Sequence, residues 1–290
     1  MLLATENTGD WMGSTSGLFW LFMMVTLILP MLQKSLLEFA RRRLIRTIER
    51  QRGSRVIVLI HRQETMSLLG IPVFRYININ DAEQVIRAIH LTDSDIPLDL
   101  VLHTPGGLVL ASVQIARAIQ AHQAKVTVHV PHYAMSGGTL IALAADEIVM
   151  DCHAVLGPVD PQLGEYPAAS IVRVLHEKEH ADIEDNTLIL ADMAEKALQQ
   201  IRREVVALLR DKMPPEQAEE LAEKLSQGTW THDHPIGVEH ARQLGLPITE
   251  KMPKEFYDLM ELYPQPMRQQ SGVQFIPVPY GPPGGPPSSK

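Results

Sequence analysis

Three short apolar runs stand out along the chain: Arg55–His61 (RVIVLIH), Leu98–His103 (LDLVLH) and Lys125–Val130 (KVTVHV), all rich in β-branched residues. Runs of this length read as buried strands. Between and after them apolar positions recur at helical spacing over Asp81–His90, Leu108–His122, Gly137–Ala145, Ala168–His180, Leu188–Lys212, Glu216–Gln227 and Pro235–Leu244. Asn80/Asp81 reads as the cap of the first, Pro214-Pro215 stops the fifth, and Gly245 ends the last. Strands alternating with helices predict an α/β domain with a mostly parallel sheet wrapped by helices.

The N-terminal segment follows a different pattern. Gly17–Leu32 reads GLFWLFMMVTLILPML without a charge, and with its flanks from Trp11 to Gln33 the uncharged stretch reaches the roughly 20 residues that cross a bilayer. Trp11 and Trp20 suit a membrane interface, and Arg41, Arg42 and Arg43 follow the span rather than precede it. That order fits a retained anchor with the remainder on the cytoplasmic side, not a cleaved signal. A buried core helix, broken at Pro30, is the competing reading. Lys34–Arg52 then forms a basic amphipathic pattern with Leu36, Leu37, Ala40, Leu44, Ile45 and Ile48 on one side. It suits anionic lipid, and equally a linker or an oligomerisation surface. From Pro264 onward, 8 of the 21 prolines crowd together, which predicts a disordered or polyproline tail. The expected organisation is an anchor over 1–33, a basic linker helix over 34–54, a globular domain over 55–263 and a tail over 264–290.

Composition narrows the classes. With 290 residues, 45% hydrophobic and 21% charged, the chain can bury a sizeable core and is not an intrinsically disordered protein. A single cysteine, Cys152, removes disulfide scaffolds and CxxC zinc modules. The net charge of −8 argues against nucleic acid as a partner, yet it is unevenly spread: residues 1–33 carry −2 and residues 34–55 carry +6, leaving −12 for the rest.

Candidate chemistry sits at two strand ends. His103-Thr-Pro-Gly-Gly107 closes one apolar strand and leads into a helix pattern, the position where ligands bind open α/β sheets. About thirty residues on, His132-Tyr-Ala-Met-Ser-Gly-Gly-Thr139 follows the next strand and opens LIALAADEIVM. Ser136 therefore stands at a strand-to-helix junction, where free N–H groups suit a developing oxyanion. An ordinary helix N-cap fits the same position.

The two glycine loops together with DEIVMDCHAVLGPVDPQLG and the late GTWTHDHPIGVEHARQLGL resemble the Clp-protease/crotonase superfamily, and within it the serine dehydrogenase proteinase family, relatives of signal peptide peptidase A. The resemblance runs from about Arg55 to Leu246. It implies a Clp/crotonase-like fold of stacked ββα units, oligomeric assembly, a serine nucleophile at Ser136, and oxyanion donors from Gly106 or Gly107 and from Gly137. The family name refers to a serine-dehydrating activity that uses pyridoxal phosphate. No residue pattern here supports that cofactor, and none is expected.

Such a serine needs a base. The catalytic histidine of the soluble Clp peptidases would fall by gapless count near Pro158, which cannot act. The resemblance to the signal peptide peptidases favours Lys178, 42 residues after Ser136, ahead of Lys196, with His153 as the nearest histidine. A lysine base must give up about 4 kcal/mol of preference for its charged form to be neutral near pH 7. Glu177 and Glu179 beside Lys178 oppose that, and a solvated helix lysine is the alternative. The stretch His176-Glu-Lys-Glu-His180 also fits HExxH, in which two histidines on one helix face bind zinc. Its charged interior is more typical of a solvated face, Glu195 and Glu204 are unsupported as third ligands, and no metal is expected. His103 and His132 fit either site-lining or structural roles. Asp160 fits a turn or the orienter of a base, and His232-Asp233-His234 reads as a helix-entry segment. The expectation is thus a single-pass membrane serine peptidase acting on peptide or protein substrates near the bilayer. A catalytically silent membrane scaffold is the rival.

Overall fold

The computed structural model describes residue 17, residues 19–61 and residues 75–263. The proline-rich tail and the first sixteen residues lie outside the described residues. Five parallel strands form the central sheet in the order β1 (Arg55–Ile60), β2 (Leu98–His103), β3 (Val126–Val130), β5 (Glu147–Met150) and β10 (Ile248–Thr249). Both β2 and β3 are buried along their whole length, as expected for a parallel sheet covered on both sides. Alternate residues serve two cores. Leu98, Leu100 and Leu102 join Ile57, Leu59, Val126 and Val128 in the larger cluster, whereas Val101 and Val56 join Ile48, Phe256, Leu259 and Met260 in the smaller.

The larger core is closed by α2 (Ile79–His90), α3 (Val109–Gln120), α4 (Gly137–Leu143), α6 (Asp185–Leu209) and α7 (Pro215–Ser226). Their bounds fall within a few residues of the sequence pattern, with instructive shifts. The cap of α2 is Asn78, not Asn80/Asp81: the Asn78 side chain accepts from the Asp81 amide, and the Asp81 carboxylate accepts from the Asn78 amide. That capping box adds a turn at the start. The helix expected over Ala168–His180 ends as α5 (Ala168–Glu177), and Lys178 follows in extended conformation. A second small sheet, β4 (Tyr133–Ala134), β6 (Val155–Leu156) and β9 (Ile236–Gly237), lies beside the carboxyl ends of β2 and β3, while β7 (Gln162–Leu163) and β8 (Tyr166–Pro167) form a hairpin. The fold is mixed α/β around a parallel sheet, as the pattern predicts. The helices α8 (Val238–Gln243) and α9 (Lys254–Glu261) complete it.

The anchor and the linker helix expected as two elements are one. A single helical stretch of 34 residues runs from Phe19 to Arg52, ending in α1 (Leu29–Arg52) after π-helical turns over Met24–Ile28. Pro30 has no N–H to give to the turn before it, and the widened turns precede it directly. None of the 18-residue apolar window of this helix is buried, which removes the core-helix reading. At its other end Ile48 is 1% exposed and packs with Leu44 and Ile45 against Phe256 and Leu259, so these residues cover protein rather than lipid.

A buried charge network fastens this end. The Asp99 carboxylate on β2 accepts from Arg52 Nε at 2.6 Å and Nη2 at 2.9 Å, from His129 Nε2 at 2.7 Å, and from the Ser54 hydroxyl. Burial alone would raise the Asp99 carboxyl; the donors from His129, Arg52 and Ser54 together outweigh it and hold the group well below the usual carboxylate range. Burial holds His129 below its ordinary value against the pull of Asp99, and its Nε2 donates to the Asp99 carboxylate. Asp99→Ala is expected to cost about 3 kcal/mol in chemical denaturation, because it strands buried donors. Since the Asp99 pKa is depressed in the folded state, its contribution is complete above the unfolded value of about 4 and is lost as pH falls below it. A wild-type acid-unfolding curve no steeper than that of Asp99→Ala would refute this.

Candidate active site

Ser136 joins β4 to α4 with φ 49° and ψ −114°, and it is the one non-glycine with positive φ among the described residues. Such backbone costs about 1–3 kcal/mol and persists only where surroundings enforce it. Here they do. Met135 N–H donates to the Thr104 carbonyl at 3.0 Å, Thr104 N–H to the Tyr133 carbonyl at 3.2 Å, and Gly138 N–H to the Met135 carbonyl at 2.7 Å. On the far side the Thr139 hydroxyl lies 2.8 Å from the carbonyls of both Ala134 and Gly157 and accepts from Gly157 N–H at 3.0 Å. Although Ser136 occupies the N-cap position, its side chain makes no cap hydrogen bond. The ordinary-cap reading therefore fails.

The glycines of the first loop are fixed by close approach. A Cβ on Gly106 would stand 2.8 Å from Ser136 Cβ and 2.9 Å from the Met135 carbonyl, and its φ is 106°. Gly107, at φ 156°, lies flat against Ile77, where a Cβ would overlap the Ile77 backbone. Their amides differ. Gly106 N–H is held by Thr104 Oγ1 at 3.2 Å. In the bridge between Ile77 and Gly107, Ile77 N–H donates to the Gly106 carbonyl at 2.8 Å and Leu108 N–H to the Ile77 carbonyl at 2.9 Å. Gly107 itself takes no part, so its N–H points away from Ile77, toward the side where Gly137 stands.

Ser136, Gly107 and Gly137 line one cavity of about 230 Å³ with Tyr76, Val159, Asp160, Gln162 and His232. A second cavity of about 710 Å³ shares Tyr76 and Gly107 and extends along His61, Arg75 and Asp81. His61 is buried, with Nδ1 3.0 Å from Thr104 Oγ1 and Nε2 3.3 Å from Asp81 Oδ2; burial first, against the pull of Asp81, lowers its pKa.

The predicted bases lie elsewhere. Lys178 is exposed at the end of α5, His153 is exposed after β5, and Lys196 on α6 is exposed and paired with Asp192 at 2.5 Å. None of the three lines the Ser136 cavity. His176 ends α5 whereas His180 begins a separate turn of 3-10 helix, so the two histidines of the HExxH reading share no helix face and the zinc geometry is lost. His232, which the sequence suggests only as helix entry, instead reaches the cavity with Nδ1 2.8 Å from Asp160 Oδ1.

The sequence profile of the ClpP-like SDH-type serine proteinases matches residues 6–289. The chain belongs to this family. Two uncharacterized proteins of Methanocaldococcus jannaschii are close to it. MJ1495 is 51% identical over 280 residues, 97% of this chain and 96% of that one; MJ0137 is 52% identical over 265 residues, 91% and 93% respectively. Among solved structures, the 1510-N membrane-bound stomatin-specific protease is similar at 21% identity. A serine-to-alanine mutant of it superposes with a TM-score of 0.45 over 63% of this chain and 79% of that chain. A lysine-to-alanine mutant in complex with a substrate peptide gives 0.44 over 63% and 74%.

The packing around the ClpP-like junction is testable. A Cβ on Gly137 would collide with Ser112 Oγ of α3. Gly137→Ala is expected to cost about 2 kcal/mol by overpacking, a fall of roughly 5 °C in melting temperature for a chain of this size. Adding Ser112→Ala removes the colliding oxygen and should recover at least half of that loss. Equal melting of the single and double variants would contradict the contact.

Proposed function

We propose that this chain is a membrane-anchored serine peptidase that hydrolyses peptide bonds with Ser136 as its nucleophile. The observation that carries the reading is the strained backbone of Ser136 at the head of α4, where its side chain makes no cap hydrogen bond and lines a cavity with Gly107 and Gly137. In this scheme Ser136 Oγ bonds to the scissile carbonyl carbon, its proton passes to a base, and the carbonyl oxygen takes up negative charge. The amides of Gly107 and Gly137 are the donors for that oxyanion. Gly106, whose N–H is already engaged, serves by leaving room for Ser136. The C–N bond then breaks, the amine leaves with a proton, and water releases the acyl group. Residue order points to Lys178 for that base, but Lys178 stands exposed just past the end of α5 and lines no part of the Ser136 cavity.

Exposure of Phe19, Trp20, Leu21 and Phe22 supports the anchor, since an unburied apolar helix of this length calls for lipid or a partner. The arginines after it favour a cytoplasmic catalytic domain. Homo-oligomeric assembly belongs to the same reading, supported by exposed Ile189 and Met193 on α6 and Leu110 on α3.

Two experiments test the proposal. Ser136→Ala is expected to abolish both peptide hydrolysis and labelling by a fluorophosphonate probe, and undiminished labelling would sink the nucleophile. The full chain should sediment with liposomes while a chain lacking residues 1–33 stays in solution. Equal partitioning of the two would remove the anchor.

A further inference from the structure

The cavity at Ser136 contains an acid–imidazole pair that lies far apart in sequence. Asp160, after β6, is 2% exposed, and its carboxylate accepts from Gln162 Nε2 at 2.6 Å and from His232 Nδ1 at 2.8 Å. A carboxylate against Nδ1 holds the ring proton on that nitrogen and leaves the Nε2 lone pair bare. The loop that carries the ring is itself fixed: His234 N–H donates to the Thr231 carbonyl at 2.9 Å, and Trp230 stacks on His234 with ring centroids 5.1 Å apart. The His232 side chain remains 36% exposed and lines the cavity.

We propose that His232 is the group that takes the Ser136 proton, and that Asp160 is the residue that positions its ring. The inference rests on the reading of Ser136 as nucleophile. As Oγ bonds to the carbonyl carbon, its proton moves to His232 Nε2, giving an imidazolium next to ionised Asp160. When the C–N bond breaks, the same proton passes to the departing amine, and the attack of water on the acyl-serine repeats the transfer. Ser136 and His232 both line a cavity of about 230 Å³, large enough for a water of roughly 30 Å³ or the scissile amide itself. The transfer runs through that water or closes on substrate binding. No such role is open to Lys178 or Lys196 within one chain, because neither lines this space.

The charged groups facing His232 are Asp160 and its neighbour Asp233; Gln162 is neutral. The hydrogen bond to Asp160 raises the imidazole above its ordinary value against burial, and Asp233 adds to it. Only the neutral ring accepts a proton. The acid limb of the rate therefore lies above the ordinary histidine value of about 6.5, and loss of the Asp160 charge moves it to lower pH.

The test is the rate of fluorophosphonate labelling of the full chain in detergent, measured across the imidazole titration range. Ser136→Ala, His232→Ala, His232→Gln, Asp160→Asn and Lys178→Ala are compared with wild type, with folding checked by thermal melting. Both His232 variants should label about 100-fold more slowly or worse, and added imidazole should restore part of the rate in His232→Ala. Asp160→Asn should slow labelling and move its acid limb downward, whereas Lys178→Ala should keep the wild-type rate and limb. Wild-type labelling of folded His232→Gln, or loss of labelling in Lys178→Ala alone, overturns the role of His232 while leaving Ser136 intact. Labelling that survives Ser136→Ala overturns the nucleophile and this inference together.

Discussion

The backbone conformation of Ser136 is the constraint around which the centre of the molecule is arranged. A residue with a side chain avoids that region, and no local sequence makes it comfortable there. It is enforced from three separate places: the Thr104 exit of β2, the Thr139 hydroxyl bound to Gly157 after β6, and the flat face of Gly106 below. Each contact is long-range in sequence, so the hydroxyl is oriented only once the domain has folded. A side chain that would otherwise cap a helix points into a cavity instead.

Two buried carboxylates show how the same group serves different ends. Asp99 is saturated, with donors from Arg52, Ser54 and His129 closing around it. No oxygen is left to meet a substrate, and the result is a fastener between α1 and the sheet. Asp160 is equally buried but has one amide and one imidazole for company, and that imidazole lines the Ser136 cavity. The difference lies in the partners, not in depth.

Much of this was legible in the chain. The β-branched runs Arg55–His61 and Leu98–His103 matched the strands to within a residue, and the glycine loops marked the strand ends where the cavity forms. The short strand Glu147–Met150 was hidden inside an apolar stretch that continues helix α4, because periodicity cannot separate a buried strand from a buried helix. The helix α9 was missed because its packing face, Phe256 and Leu259, answers to Ile48 two hundred residues earlier. Asp160 was legible as a turn residue or the orienter of a base, but nothing tied it to His232: 72 residues separate the two, and His232 sits in a segment that reads as helix entry. The lysines that residue order favoured are exposed, Lys178 just past the end of α5 and Lys196 in the middle of α6 beside Asp192, where solvent, not the cavity, receives them.

The continuity of the helix from Phe19 to Arg52 has a geometrical consequence. Its apolar end and its docked end share one helical stretch about 50 Å long at 1.5 Å per residue, regular from Leu29 to Arg52 after the π-helical turns, with Arg52 clamped at the sheet. Each residue added or removed along the free part would turn the apolar end by about 100° about the rod while shifting it by only about 1.5 Å. The azimuth of the Ser136 cavity about that axis is thus set by residue count, and the number of residues between Leu32 and Leu44 acts as a dial for the direction in which the cavity opens.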